Sequence, residues 1–231
     1  MPEGLRFRTE RFFRGSFLKL TQQVELAQAL VGWDQANAFS VMGDDNHVIF
    51  TATEQAHGVL SALSRNFNPF YRNTTDCFTV DGSLFTRLHF PFTWFFRRCE
   101  VQGWNERPLG SVQVRFHLLK FRADILGTTG NTLLEVHGPM LKFFSFTDWV
   151  YEVRRGERVV ARIKKHWSGF LREAFTTADR LSIEFEPGFE DPQLRLLVFA
   201  AAMTVDLTSF DRSGRRSQGK NLLQTGFDLF G

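Results

Sequence analysis

Between Arg195 and Asp206 the sequence runs for ten residues, Leu196 to Val205, without a charge. Asp191-Pro192 ahead of it is a helix start, with Asp as N-cap and Pro at the first helical position. A helix that is apolar on every side must be enclosed, either by protein or by lipid. Ten helical residues rise about 15 Å, whereas a membrane span takes about 20 apolar residues. A longer window brings in Arg195 and Asp206, each costing up to about 3 kcal/mol at mid-membrane. Three consecutive alanines, Ala200 to Ala202, keep the rod thin. The favoured reading is a helix threaded through its own domain, with membrane insertion as the alternative. Leu196, Leu197, Phe199 and Met203 are its expected buried contacts. From Pro192 to about Ser209 it would span about 27 Å, close to the diameter of a small domain.

The rest of the chain reads as the wrapping. Phe is abundant, 27 of 231 residues against 2 Tyr, and Phe suits half-buried pleated surfaces. Strands are expected at Ala38 to Val41 and His47 to Ala52, at Cys77 to Val80 and Ser83 to Phe90, at Phe121 to Leu126 and Thr132 to Val136, and at Trp149 to Val153 and Arg158 to Lys164. Tight Gly/Asp/Asn turns separate the members of each pair. Asp81-Gly82 is expected to form a type I′ turn, with positive φ at both central residues. In the last arm Val159, Ala161 and Ile163 alternate with Arg158, Val160, Arg162 and Lys164, the period of a strand with one buried face. Further candidates are Cys99–Gln102, Val112–His117, Arg180–Phe185 and an ambiguous region at Phe17–Leu30. About ten to twelve short strands with one late apolar helix predict a mainly β chain, closed into a barrel around the helix.

The 231 residues fit one domain. A basic and aromatic segment over 1–16 precedes a barrel domain over 17–210, with its helix at about 192–209, and a basic tail follows over 211–231. The net charge of +3 and 23% charged residues exclude a disordered chain and argue against a large nucleic-acid footprint. The opening MPEGLRFRTERFFRGSF has no apolar core of a secretory signal, so the expected location is the cytosol or the cytosolic face of a membrane. Cys77 and Cys99 make no disulfide framework or zinc cluster; one bridge between them is the alternative to the favoured reading of two reduced core residues.

Catalytic motifs are missing: there is no G-x-S-x-G elbow, Walker A loop, G-x-G-x-x-G or H-E-x-x-H. No nucleophile–base pair, metal cage or small-molecule site is legible, so an enzyme is not expected. The six histidines are scattered and expected as surface or hydrogen-bonded core residues. Basic residues interleave with aromatics in three places. Arg6, Arg8, Arg11, Arg14 and Lys19 alternate with Phe7, Phe12, Phe13 and Phe17, which suits either an anionic headgroup zone or a solvated terminus. Arg154, Arg155, Arg158, Arg162, Lys164 and Lys165, ending in His166-Trp167, form either a phosphate-binding stripe or a solvated face partly neutralised by Glu152 and Glu157. Arg97-Arg98 follow Phe92-Thr93-Trp94-Phe95-Phe96, an aromatic knuckle suited to a bilayer interface or to a strand end.

The stretch from Ala161 to Asp179, centred on His166-Trp167-Ser168-Gly169-Phe170, resembles the hallmark segment of the phospholipid scramblase family. Gln22-Gln23-Val24-Glu25-Leu26 with Leu30-Val31-Gly32-Trp33 is similar to the family's opening, and His137-Gly138-Pro139 resembles its short Gly-Pro turn. The similarity runs from about Phe17 to Phe210. It implies a tubby-like closed antiparallel barrel around a hydrophobic C-terminal helix, membrane association, and calcium-stimulated movement of phospholipids between leaflets. Three departures limit the transfer. The family's palmitoylated cysteine run is replaced by Phe92 to Cys99, with a single cysteine, and one acyl chain anchors only marginally. The proline-rich N-terminal extension is missing. Of the oxygen ligands in the proposed calcium segment only Asp179 remains, Thr177 stands where the family has an acid, and calcium takes six to eight oxygens; no cofactor is required by the sequence itself. The resemblance implies a peripheral membrane protein that moves phospholipids between leaflets, with an anionic phospholipid membrane as partner. The alternative is a tubby-like module that binds anionic or phosphoinositide headgroups without transport.

Overall fold

The structure, a computed structural model, describes residues 12, 14–22, 38–55, 73–94, 96–117, 120–140, 148–166 and 179–208. Twelve strands form a single closed antiparallel sheet: β1 (Phe17–Gln22), β2 (Ala38–Met42), β3 (Val48–Glu54), β4 (Asn73–Thr79), β5 (Leu84–Phe90), β6 (Arg98–Gly103), β7 (Pro108–Arg115), β8 (Lys120–Leu126), β9 (Thr132–Met140), β10 (Trp149–Arg155), β11 (Arg158–Lys165) and β12 (Asp179–Phe185). Each strand pairs with its neighbours in sequence, and β1 closes the ring against β12, Leu18 opposite Ile183 and Leu20 opposite Leu181. Closure leaves no sheet edge to pair with other chains.

Helix α1, residues 192–208, fills the lumen. Asp191 caps it as expected: Leu194 N–H donates to Asp191 Oδ1 at 3.0 Å. Leu196, Leu197, Phe199 and Met203 are all buried, together with the three alanines. The Phe199 ring meets Phe50 of β3 edge-on at 5.1 Å. Leu197 Cδ2 lies 3.1 Å from where a side chain at Gly110 of β7 would begin, and Lys165 Nζ of β11 donates to Asp206 Oδ1 at 3.0 Å. Strands β3, β7 and β11 stand a third of the circumference apart, so these contacts surround the helix. Among the described residues no helix is long and apolar enough to cross a membrane.

The turns give the barrel two unlike rims. Four hairpins repeat one geometry, with the N–H of the first loop residue donating to the carbonyl four residues on, and the fourth residue's N–H returning to the first residue's carbonyl. They run Gly43 to His47, Thr79 to Ser83, Gly103 to Arg107 and Gly127 to Asn131. The fourth residue takes positive φ in each: Asn46 58°, Gly82 82°, Glu106 61° and Gly130 82°. This is a type I turn closed by a left-handed residue. The expected type I′ turn at Asp81-Gly82 is therefore corrected, because only Gly82 has positive φ and the loop carries one residue more. All of these turns, and the Gly156-Glu157 turn between β10 and β11, lie at one rim, here the turn rim. Strands β1, β3, β5, β7, β9 and β11 all end at the opposite, far rim. The helix enters at the turn rim and points its C-terminus at the far one.

Two local expectations change. His137-Gly138-Pro139 lies within strand β9 rather than in a turn; a side chain at Gly138 would collide with Phe121 and the Tyr151 ring, so glycine there is a packing requirement. Val160, assigned to the outward face, is buried, because a register shift after Val153 leaves it as the extra residue of a bulge. The region 23–30 of the ambiguous N-terminal stretch lies outside the described residues, and β1 ends at Gln22. The core also extends upstream of β1. Phe12 is buried against Phe50 and Phe85, with ring centroids at 5.5 and 5.6 Å.

Candidate functional site

Strand β5 ends at the buried Phe90, and the chain then crosses the far rim to β6. Its side chains turn outward there: Phe92 is 46% exposed, Trp94 78% and Phe96 40%. Phe92 and Trp94 meet edge-on at 5.4 Å. The next connection at this rim, after β7, adds Phe116, 72% exposed, with its ring centroid 6.0 Å from that of Phe96. The crossing is fixed to the barrel by the Val114 N–H, which donates to the Arg97 carbonyl at 2.9 Å. Strand alternation then sends Arg98 outward and Cys99 inward. The knuckle expected from the sequence is therefore at the surface, and Phe116 joins it from a segment that the sequence did not connect to it.

The predicted basic residues are spread over both rims and one face. Arg97 is buried and Arg98 exposed at the far rim, Arg98 Nε lying 3.4 Å from Glu100. On the outer face of β10–β12 Arg154, Arg162 and Lys164 each meet a carboxylate. Arg154 bonds Glu152 at 2.6 Å, which raises its pKa, Lys164 bonds Glu184 at 2.5 Å, and Arg162 pairs with Glu186. The two cross-strand pairs are diagonal, because Arg162 stands opposite Glu184 and Lys164 opposite Ser182. Lys165 faces inward to Asp206. Arg155 and Arg158 flank the Gly156 turn at the other rim. From Arg158 to Lys165 the strand rises about 23 Å, so no flat surface set against one rim reaches both ends of the stripe.

His166 is the centre of a polar relay absent from the sequence reading. Its Nδ1 lies 2.8 Å from Asp148 Oδ2 and its Nε2 3.0 Å from Ser182 Oγ. The connectivity is that of Ser–His–Asp hydrolases, but Ser182 is only 2% exposed, which leaves an acyl carbon no approach to Oγ. The relay ties the end of β11 to the start of β10 and to β12. Trp167 lies outside the described residues.

The proposed calcium segment lies outside the described residues up to Asp179. Asp179 begins β12 opposite Thr21, and its side chain is outside the described set. Glu184 and Glu186 are bound to Lys164 and Arg162, and Asp191 caps the helix. These acids lie toward the turn rim, about 20 Å along the strand from Asp179. Among the described residues no three His, Cys, Asp or Glu groups converge on a metal position.

Both cysteines are free and buried. Burial pushes both thiols well above their ordinary pKa, while a hydrogen bond with Thr204 of the helix acts in the opposite direction at Cys99. Arg195 was not singled out in the sequence, yet it is 3% exposed and locks the turn rim. Its guanidinium donates to the carbonyls of Phe189 (2.6 Å), Phe12 (3.0 Å) and Gly15 (2.6 Å) and stacks over the Phe185 ring at 4.2 Å. Burial lowers its pKa.

Fold and surface together define a class: a closed antiparallel barrel sealed by its own apolar helix, with aromatic side chains displayed at one rim. The scramblase family model matches residues 8–212, and the chain belongs to the scramblase family. It is 26% identical to phospholipid scramblase 2 of Homo sapiens over 221 residues, covering 92% of this chain and 72% of that protein. It is 26% identical to phospholipid scramblase 1 of Mus musculus over 210 residues, covering 87% of this chain but 63% of that protein. A phospholipid scramblase family protein of Schizosaccharomyces pombe is 24% identical over 181 residues, 73% of this chain and 45% of its own length. No solved structure matches the chain.

Proposed function

We propose that this protein promotes bidirectional movement of phospholipids between leaflets, working from the cytosolic face of a membrane with the outer surface of its barrel. The observation that carries the mechanism is the sealed lumen. Leu197, Val198, Phe199, Ala200 and Val205 are fully buried among the strands, so a headgroup has no path through the interior while the helix is in place. Family membership and the names of its relatives supply the substrate class. Lipid exchange at the outside of the barrel requires the protein to disturb the bilayer interface, where local thinning lowers the barrier to a polar headgroup.

The test is reconstitution of the full chain into vesicles carrying fluorescent phospholipid in both leaflets. The reading predicts faster loss of inner-leaflet label to an impermeant quencher than in protein-free vesicles, and equal rates with calcium and with chelator. Exchange no faster than the protein-free control contradicts it.

A second reading, a headgroup-binding module without transport, draws on Arg155 and Arg158 at the turn rim, with Glu157 between them. It predicts tight, steeply salt-sensitive vesicle binding with no exchange. The carboxylate partners of Arg154, Arg162, Lys164 and Lys165 weigh against it, because a phosphate would have to displace them.

A further inference from the structure

We propose that the far rim docks on a phospholipid bilayer by inserting Phe92, Trp94, Phe96 and Phe116 into the headgroup zone, without an acyl anchor. This rests on the preceding reading only in taking a lipid surface as the place of work. The four rings come from two separate connections and are joined by the Phe96–Phe116 contact at 6.0 Å. They project from the end of a closed barrel rather than line a groove. Aromatic rings favour the interface between water and hydrocarbon.

Charge selects the occupant. Beside the rings the strand ends carry Arg98, Arg115, Lys120 and Arg122 against Glu100, Asp124 and Glu135, with Arg98 paired to Glu100 and Arg115 to Asp124; the net charge stays positive and complements an anionic leaflet. The same rim leaves no acylation site. The sequence has 2 cysteines; both face the lumen and are buried, and burial holds both thiols protonated. A thioester at Cys99 would require β6 to leave the sheet. The rings therefore occupy the place that lipid chains would take. In this orientation Arg155 and Arg158 point away from the membrane.

The experiment uses the full chain and flotation with phosphatidylcholine vesicles containing a minority of phosphatidylserine. The double substitution Trp94→Ser/Phe116→Ser is expected to lower partitioning by at least about tenfold, since one buried aromatic ring alone is worth about that factor. It should leave the urea midpoint unchanged, because both side chains are exposed. Val80→Ser, an equally exposed apolar side chain at the turn rim, and Cys99→Ala should float like wild type. Trp94→Phe should keep binding yet lose most of the fluorescence quenching by brominated lipid. If wild type floats and the double variant floats equally, docking by the rings is overturned while the lipid-surface reading survives. If wild type does not float, both fall. A wild-type dimer that the double substitution dissolves, with flotation unchanged, assigns the rings to a second copy and also overturns the proposal.

Discussion

Arg195 carries a buried charge with backbone carbonyls, not carboxylates, as its hydrogen-bond partners. Arg195→Met keeps the volume of the stem but leaves the carbonyls of Phe12, Gly15 and Phe189 without a donor, and each buried unsatisfied group costs about 1–3 kcal/mol. We expect a loss of about 3 kcal/mol by urea unfolding, accompanied by faster amide exchange over residues 14–16. An unchanged midpoint would contradict the lock. The cysteines give a pH prediction. Unfolded, their thiols titrate near the ordinary 9.0; folded, burial keeps them protonated to higher pH. Above that value the unfolded state sheds protons that the folded state retains, so stability falls as pH rises, by up to about 1.4 kcal/mol per unit for each thiol. Replacing Cys77 and Cys99 by Ala should flatten that decline above about pH 9; an unaltered slope would show that the thiols are not held protonated.

Among the elements, β7 shows how closely helix and sheet fit. Gly110 has φ 151°, and a Cβ there would run into the Leu126 carbonyl and approach Leu197 at 3.1 Å. Gly110→Ala should destabilise by about 1–3 kcal/mol, measured by thermal unfolding, whereas Gly130→Ala, with open space around it, should show only the smaller penalty of its positive φ. The strands were legible because turn residues punctuate them, and the helix because Asp191-Pro192 opens it and no polar face follows. Glu152 was legible as a neutralising partner, and it bonds Arg154, but the cross-strand partners of the basic residues were not. The Arg162–Glu186 and Lys164–Glu184 pairs depend on the β11–β12 register, and the segment between those strands gives no local signal for it. Glu184 and Glu186 neutralise Lys164 and Arg162 of β11. The His166 relay was missed for the same reason, since Asp148 and Ser182 are 18 and 16 residues away from His166. Phe12 was read as membrane-facing or solvated because its packing partners, Phe50 and Phe85, lie far along the chain.

At the scale of the whole molecule, the interior is sealed and the proposed work falls to the exterior. The turn rim is held shut by Arg195, Phe12 and the Ser16 N–H bonded to Asp44 at 2.9 Å. The far rim carries the aromatic side chains and the longer connections. If lipids move along the outside, the helix never needs to leave. Thr204 and Cys99 are hydrogen-bonded neighbours on helix and β6, so Thr204→Cys in a Cys77→Ala background allows a disulfide that pins the helix in the lumen. The decisive measurement is the rate of phospholipid exchange between vesicle leaflets by this protein, oxidised and then reduced. Exchange by the pinned form at the rate of the reduced form is the predicted result. Exchange that stops on oxidation and returns on reduction would mean that the helix must come out, and would contradict the sealed-barrel account.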